Sequence, residues 1–242
     1  MYPILFRVGS IEITSFGVAV AVAALVGLWM LRRELSRSHG QAGAADVAAL
    51  AVLAGLAGAK LLWVAEHAGE EPMADLLFSR GGLSWFGGLV GGGGTALAVF
   101  RYRRWPVLPI LAAATPALTI GHAIGRIGCF LVGDDYGRPT NLPWAVAFPE
   151  GAPPTTERVH PTQLYELIAL VPIAWLLLRL RARRASDRVV VGAYLVLTGS
   201  VRFLIEFVRV NERVALGLTV AHWVALALAL VGGMLLARRR AL

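Results

Sequence analysis

With 242 residues, 57% of them hydrophobic and 16% charged, the chain is too apolar for an ordinary soluble domain, in which roughly a quarter of residues carry charge. The net charge of +8 raises nucleic acid as a partner. The basic residues, however, sit in short clusters between apolar runs, as membrane topology determinants do, so no nucleic acid is expected. Cys129 is the only cysteine, which excludes an internal disulfide and argues against a cysteine-built metal site.

The N-terminal MYPILFRVGSIEITSFG has neither a basic leader nor a small-residue cleavage site, so the first hydrophobic segment is expected to insert and remain. Crossing the hydrocarbon core takes about 20 mostly apolar residues. Such runs lie near 14–31, 46–65, 83–100, 107–131, 161–178, 189–208 and 216–237. They predict an all-α polytopic membrane protein of about seven transmembrane helices, a single membrane domain over 1–242. The first run, TSFGVAVAVAALVGLWML, is stopped by Arg32 and Arg33. The third, GGLSWFGGLVGGGGTALAVF, is rich in glycine, which lets either a neighbouring helix or a ligand approach the backbone closely. Both readings stand.

Orientation follows from the basic residues of alternate loops. One side carries Arg32, Arg33, Arg37, Arg101, Arg103, Arg104, Arg179, Arg181, Arg183, Arg184, Arg188, Arg238, Arg239 and Arg240, fourteen in all. The other carries six: Arg7, Arg80, Arg138, Arg158, Arg209 and Arg213. The positive-inside rule puts the first set in the cytoplasm, with the N-terminus outside and the C-terminus cytoplasmic. The long segment at about 132–160 then lies outside, as does the acidic 66–82 loop with Glu66, Glu70, Glu71 and Asp75.

Lys60, Arg126 and Arg202 fall within the spans. A charge near mid-bilayer costs about 2.5–3.5 kcal/mol on insertion scales, so each needs a reason. Lys60 can snorkel to the interface. Arg202 and Glu206 are spaced i, i+4 and can pair on one helix face, with Arg209 a turn further on. Arg126 has no acid within a turn of its own helix, and His122, four residues earlier, cannot neutralise it. Its anion is Glu206, Asp134 or a bound ligand, and a planar guanidinium suits a phosphate, such as that of a membrane lipid. His160, Gln163, Tyr165 and Glu166 open the fifth span at the outer interface, where Glu166 needs a donor such as Arg126 or Arg138.

Four segments are recognisable together: GGLSWFGGL (81–89), GRIGCFLVGDDYGRPT (125–140), HPTQLYE (160–166) and GSVRFLIEFVR (199–209). They resemble the bacterial prolipoprotein diacylglyceryl transferase family, and the similarity runs in order from about residue 9 to residue 210. The resemblance implies a multi-pass inner-membrane enzyme with its site toward the outer leaflet. Such an enzyme moves the diacylglyceryl group of phosphatidylglycerol onto the lipobox cysteine of a prolipoprotein, releases glycerol 1-phosphate, and uses no metal or organic cofactor.

Residue by residue, the resemblance makes Arg126 and Arg202 the family's two essential arginines and Glu206 its sixth-helix acid. Asp134 stands in place of a glutamate, and Gly137 and Arg138 end the signature. Phe86 replaces the histidine of the third-helix motif, Phe16 and Thr198 replace tyrosines, and Cys129 replaces the signature asparagine. The two arginines are thus expected to stabilise the departing phosphate, with Glu206 and Asp134 holding them in place. His122 is the first candidate for the thiol's base and Glu206 the second. Glu166, Tyr165, Gly137, Arg138, Gly87 and Gly88 are candidate substrate-binding residues. Two alternatives share these residues: a phospholipid-dependent transferase with another acceptor, and a non-catalytic lipid-binding or transport protein.

Overall fold

The computed structural model describes residues 2–9, 11–37, 43–78 and 83–237. Arg80, Gly81, Gly82, Arg238, Arg239 and Arg240 lie outside the described residues. Among those described, six helices are long and apolar enough to cross a membrane: α1 (Ser15–Arg37), α2 (Ala44–Glu66), α6 (Val107–Val132), α7 (Thr162–Ala182), α8 (Asp187–Glu206) and α9 (Val220–Ala237). The short helices α3 (Met73–Phe78), α4 (Trp85–Gly88) and α5 (Gly94–Tyr102) complete the set. A π-helical turn at Leu89–Gly93 joins α4 to α5, so the glycine-rich third run is helical but interrupted.

The surface is inverted relative to a water-soluble protein. Leu25, Leu53, Trp175 and Leu204 are exposed on the long helices, whereas Gln163, Glu166 and Glu206 are buried. Apolar side chains outward and polar ones inward is the pattern lipid selects, because no water is present to satisfy polar groups there. The chain is a multi-pass, mostly helical membrane protein.

It divides into two compact units, Leu31–Ile110 and the remainder. In the Leu31–Ile110 unit, α2 lies directly against α4 and the π turn. A methyl group placed on Gly58 would come 2.5 Å from the Gly87 carbonyl oxygen, and one on Gly92 would come 2.8 Å from that of Ala51. Gly88 faces Ala59 and the Gly55 carbonyl. Here the glycines serve backbone-to-backbone helix packing. Lys60 places its ammonium 4.7 Å from the ring centre of Trp63, an aromatic partner at the helix end.

The other unit holds α1 as far as Met30 and α6 from Leu111, together with α7, α8 and α9. Small residues again set the contacts. Gly128 meets Ala19 and Phe16, and Gly192 and Gly232 face each other across α8 and α9. Pro116 cannot donate to the Ala112 carbonyl, and the Thr115 hydroxyl does so instead at 3.1 Å.

Two small antiparallel hairpins amend the all-α expectation. The first pairs β1 (Ile4–Val8) with β2 (Ile11–Thr14), and Arg7 pairs with Glu12 across it at 2.9 Å. The second pairs β3 (Val146–Phe148) with β4 (Thr155–Val159) inside the long 132–160 segment. Phe148 is buried there, stacked on Tyr136 and edge-on to Phe130. This segment is a packed cap with its own apolar centre.

Candidate active site

The signature segment reaches its position through backbone bonds. The Gly137 N–H donates to the His160 carbonyl at 2.9 Å, and the Arg138 N–H to that of Val208 at 2.8 Å. The Arg138 guanidinium donates to the carbonyls of Arg209 and Phe207, just past the end of α8. These carbonyls have no partner within the helix, and a cation there also complements its negative end. A methyl group on Gly137 would lie 2.5 Å from the Val208 carbonyl oxygen, so only glycine permits this approach. The start of α7 holds the other flank: the Thr162 hydroxyl donates to the Asp135 carbonyl at 2.6 Å, and the Gln163 amide donates to that of Asp134.

This latch brings an acid from the loop, one from α7 and one from α8 against three arginines. The Arg126 Nε lies 2.5 Å from Glu166 Oε2, and its Nη1 lies 2.8 Å from Asp135 Oδ2. Glu166 Oε1 accepts from Arg202 Nη1 at 3.1 Å. The second Nη of Arg202 reaches Glu206 at 2.8 Å. Glu206 lies 3.6 Å from Arg209 Nε, and Arg209 returns to Asp135. The three guanidiniums and three carboxylates alternate in a closed ring. Taken out of water, each charge would cost several kcal/mol, and the alternation offsets that for all six together.

Buried acids are further satisfied by neutral donors. Glu206 Oε1 accepts from Asn211 and from the Thr219 hydroxyl, each at 2.7 Å. His222, buried on α9, places Nδ1 3.1 Å from that hydroxyl. His122 Nε2 lies 3.3 Å from Glu166 Oε2 and 3.2 Å from Arg126 Nε. Its side chain is 44% exposed, so the imidazole lines the rim.

Several sequence expectations change at this point. Arg126 takes its anions from the chain, through Glu166 and Asp135, and not from Glu206 or Asp134. The Glu166 contact is the one expected from that acid's need of a donor such as Arg126, whereas Asp135 lies past the end of α6, where helical spacing does not reach. The carboxylate holding the arginines from the signature loop is that of Asp135. Asp134 instead has a buried oxygen, Oδ1, with no hydrogen-bond partner among the described residues. Burial, together with the charge of Asp135, pushes the Asp134 carboxyl above its ordinary value. Burial acts on Asp135 in the same sense, but Arg209 and Arg126 outweigh it and hold that carboxyl at about 2.

Arg138 caps α8 and does not serve Glu166. Tyr165 accepts from the Trp144 indole at 2.8 Å and meets His160 at 3.1 Å, which ties α7 to the cap. Gly87 and Gly88 belong to the Leu31–Ile110 unit, in the contact with α2 described above. Cys129, Asp134 and Asp135 offer three potential metal-ligand atoms within 4.8 Å of one another. Asp135 already spends both oxygens on arginines there. Sequence reasoning missed Asp135, Asn211, Thr219 and His222. The only available signal was the position of Asp135 inside the signature.

The fold and site define a polytopic helical membrane protein that carries a closed ring of three arginines and three carboxylates. The particular family is identified by comparison. The profile of the prolipoprotein diacylglyceryl transferase family matches residues 3–238, and the chain belongs to that family. Among its relatives is a phosphatidylglycerol–prolipoprotein diacylglyceryl transferase of Dehalococcoides mccartyi, 33% identical over 93% of this chain and 89% of that one. The enzyme of the same name from Clostridium tetani is 30% identical over 88% of this chain and 87% of its own. That of Geobacter sulfurreducens is 32% identical over 86% and 82%.

Proposed function

We propose that the protein transfers the diacylglyceryl group of phosphatidylglycerol to the lipobox cysteine thiol of a prolipoprotein, releasing glycerol 1-phosphate. The observation that carries this reading is the convergence of Arg126 and Arg202 on the two oxygens of one carboxylate, Glu166, at 2.5 and 3.1 Å. Two guanidiniums from different helices, held this way beside a shared anion, are preorganised for a phosphate that gains charge as it leaves. Beside them, α6 and α7 form a half-open apolar groove of about 380 Å³ lined by Ile124, Ile127, Leu167 and Leu170. A lipid fits that order of surfaces: phosphate at the arginines, acyl chain along the apolar wall.

In the reaction, the substrate thiolate attacks a glycerol carbon, and the bond from that carbon to the phosphate oxygen breaks. The oxygen leaves with the bonding electrons, and Arg126 and Arg202 stabilise it. His122 receives the thiol proton, with Glu166 orienting the imidazole. The remaining acids of the ring keep the arginines extended between turnovers.

The proposed topology has seven spans, residues 85–102 forming the third, in one membrane domain. The N-terminus is outside, the C-terminus is cytoplasmic, and the site faces the outer leaflet of the inner membrane. A secreted precursor presents its cysteine on that side. The test is purified protein incubated with labelled phosphatidylglycerol and a lipobox peptide. Glycerol phosphate release that requires the peptide's cysteine is the expected result. Release without the peptide would point to another acceptor, and binding without release would remove the enzymatic reading.

A further inference from the structure

The charge ring is complete without a ligand, and this sets a problem for any anionic substrate. A phosphate approaching Arg126 and Arg202 meets carboxylates already in place, so one of them must yield. Glu206 is fully buried and held by Arg202, Asn211 and Thr219. Glu166 is 2% exposed and contacts Arg126, Arg202 and His122. Withdrawing either would strand a buried charge, which is strongly unfavourable.

Asp135 differs from both. Its side chain is 42% exposed, and it is carried by a loop residue with φ of 60°. Its backbone is fixed independently of its carboxylate, through the Thr162 hydroxyl on its carbonyl and the Gly137 and Arg138 latch that follows. The side chain can therefore turn away from Arg126 while the loop stays in place. In doing so its Oδ2 gives up the pair with Arg126 and regains hydration, while Oδ1 keeps the pair with the buried Arg209.

We propose that Asp135 is the displaceable member of the ring, an internal counter-anion that occupies Arg126 between turnovers, yields it to the lipid phosphate, and by returning expels the product. The inference rests on the transferase reading above and adds to it the step that clears the site. The substrate is a phosphodiester with one negative charge. Glycerol 1-phosphate is a monoester, which carries close to two at neutral pH. Held beside the site by Arg209 once displaced, the Asp135 carboxylate therefore repels the product about twice as strongly as the substrate. Asp135 acts on the reaction through the arginine and is a positioning residue.

The experiment compares wild type with Asp135→Asn and Asp135→Gly, both of which suit a positive φ. Turnover with phosphatidylglycerol and a lipobox peptide is measured across glycerol 1-phosphate concentrations. In both variants the inhibition constant of glycerol 1-phosphate is expected to fall roughly tenfold, and KM for the lipid to fall less, on the order of threefold. An unchanged inhibition constant overturns the proposal. So does a joint rise of KM and the inhibition constant, which would mean that Asp135 only props the arginines. Should wild type release no glycerol phosphate at all, the transferase reading fails. Calorimetric titration of glycerol 1-phosphate into the same three proteins then decides: tighter binding by the variants supports the counter-anion, equal or weaker binding overturns it.

Discussion

Glu166 shows how residue-scale chemistry departs from linear reading. In the sequence it is an acid at the start of a span, in need of a donor. In the fold it is the carboxylate on which Arg126 and Arg202 converge. Replacing it with glutamine keeps the shape and removes the charge, leaving two half-buried cations to share a neutral amide. Breaking one side of a buried ion pair costs about 3–5 kcal/mol. Glu166→Gln is therefore expected to unfold at clearly lower temperature in detergent and to lose at least roughly a hundredfold in glycerol phosphate release. A variant with full turnover would show that the convergence is incidental. Cys129 gives the opposite case. Its sulfur lies 3.8 Å from Arg126 Nη1, a weak contact, and the nucleophile in the proposed reaction is the substrate's thiol. Cys129→Ala is expected to keep turnover within about twofold, as for a small buried hydrophobe; abolished release would place the thiol in the chemistry.

At the scale of elements, position in the sequence and position in space diverge most at the signature loop. The i, i+4 spacing of Arg202 and Glu206 was readable, because one helix supplies both partners at fixed geometry. The choice between Asp134 and Asp135 was not, because neighbouring loop residues point in directions that only tertiary contacts decide. Here the Gly137–Arg138 latch decides them. Gly137→Ala is expected to displace that latch: its methyl group would fall 2.5 Å from the Val208 carbonyl oxygen, a backbone atom with little freedom to move. The shift would carry Asp135 away from Arg126 and Arg209. Overpacking of this kind costs about 1–3 kcal/mol, and turnover is expected to fall well beyond what that loss of stability explains. The comparison to make is thermal midpoint against release rate, with Gly94→Ala as a control at an exposed position where the added methyl group meets nothing. Equal effects at both sites would remove the special role of Gly137. The two hairpins also escaped sequence reading, since strands of three to five residues carry too little alternation to register.

On the scale of the whole molecule, the long apolar runs were legible because lipid imposes one demand on every spanning segment. The runs at 107–131 and 189–208 correspond to Val107–Val132 and Asp187–Glu206. The helix of the first run outlasts the run itself, since α1 continues past Arg32 and Arg33 to Arg37. Arginine marks where a helix leaves the hydrocarbon, not where it ends. Orientation was read from charge asymmetry, and α7 allows a direct test. Its 21 residues span about 30 Å, one hydrocarbon thickness. The cap lies before it and the basic turn around Arg183, Arg184 and Arg188 after it. Glu150 and Ser186 are exposed on these two flanks. In a Cys129→Ala background, Glu150→Cys is expected to react with a membrane-impermeant maleimide added to intact spheroplasts. Ser186→Cys should react only after the membrane is opened. Labelling of both before lysis, or the reverse order, would turn the proposed topology over and move the charge ring to the face where a secreted precursor no longer presents its cysteine.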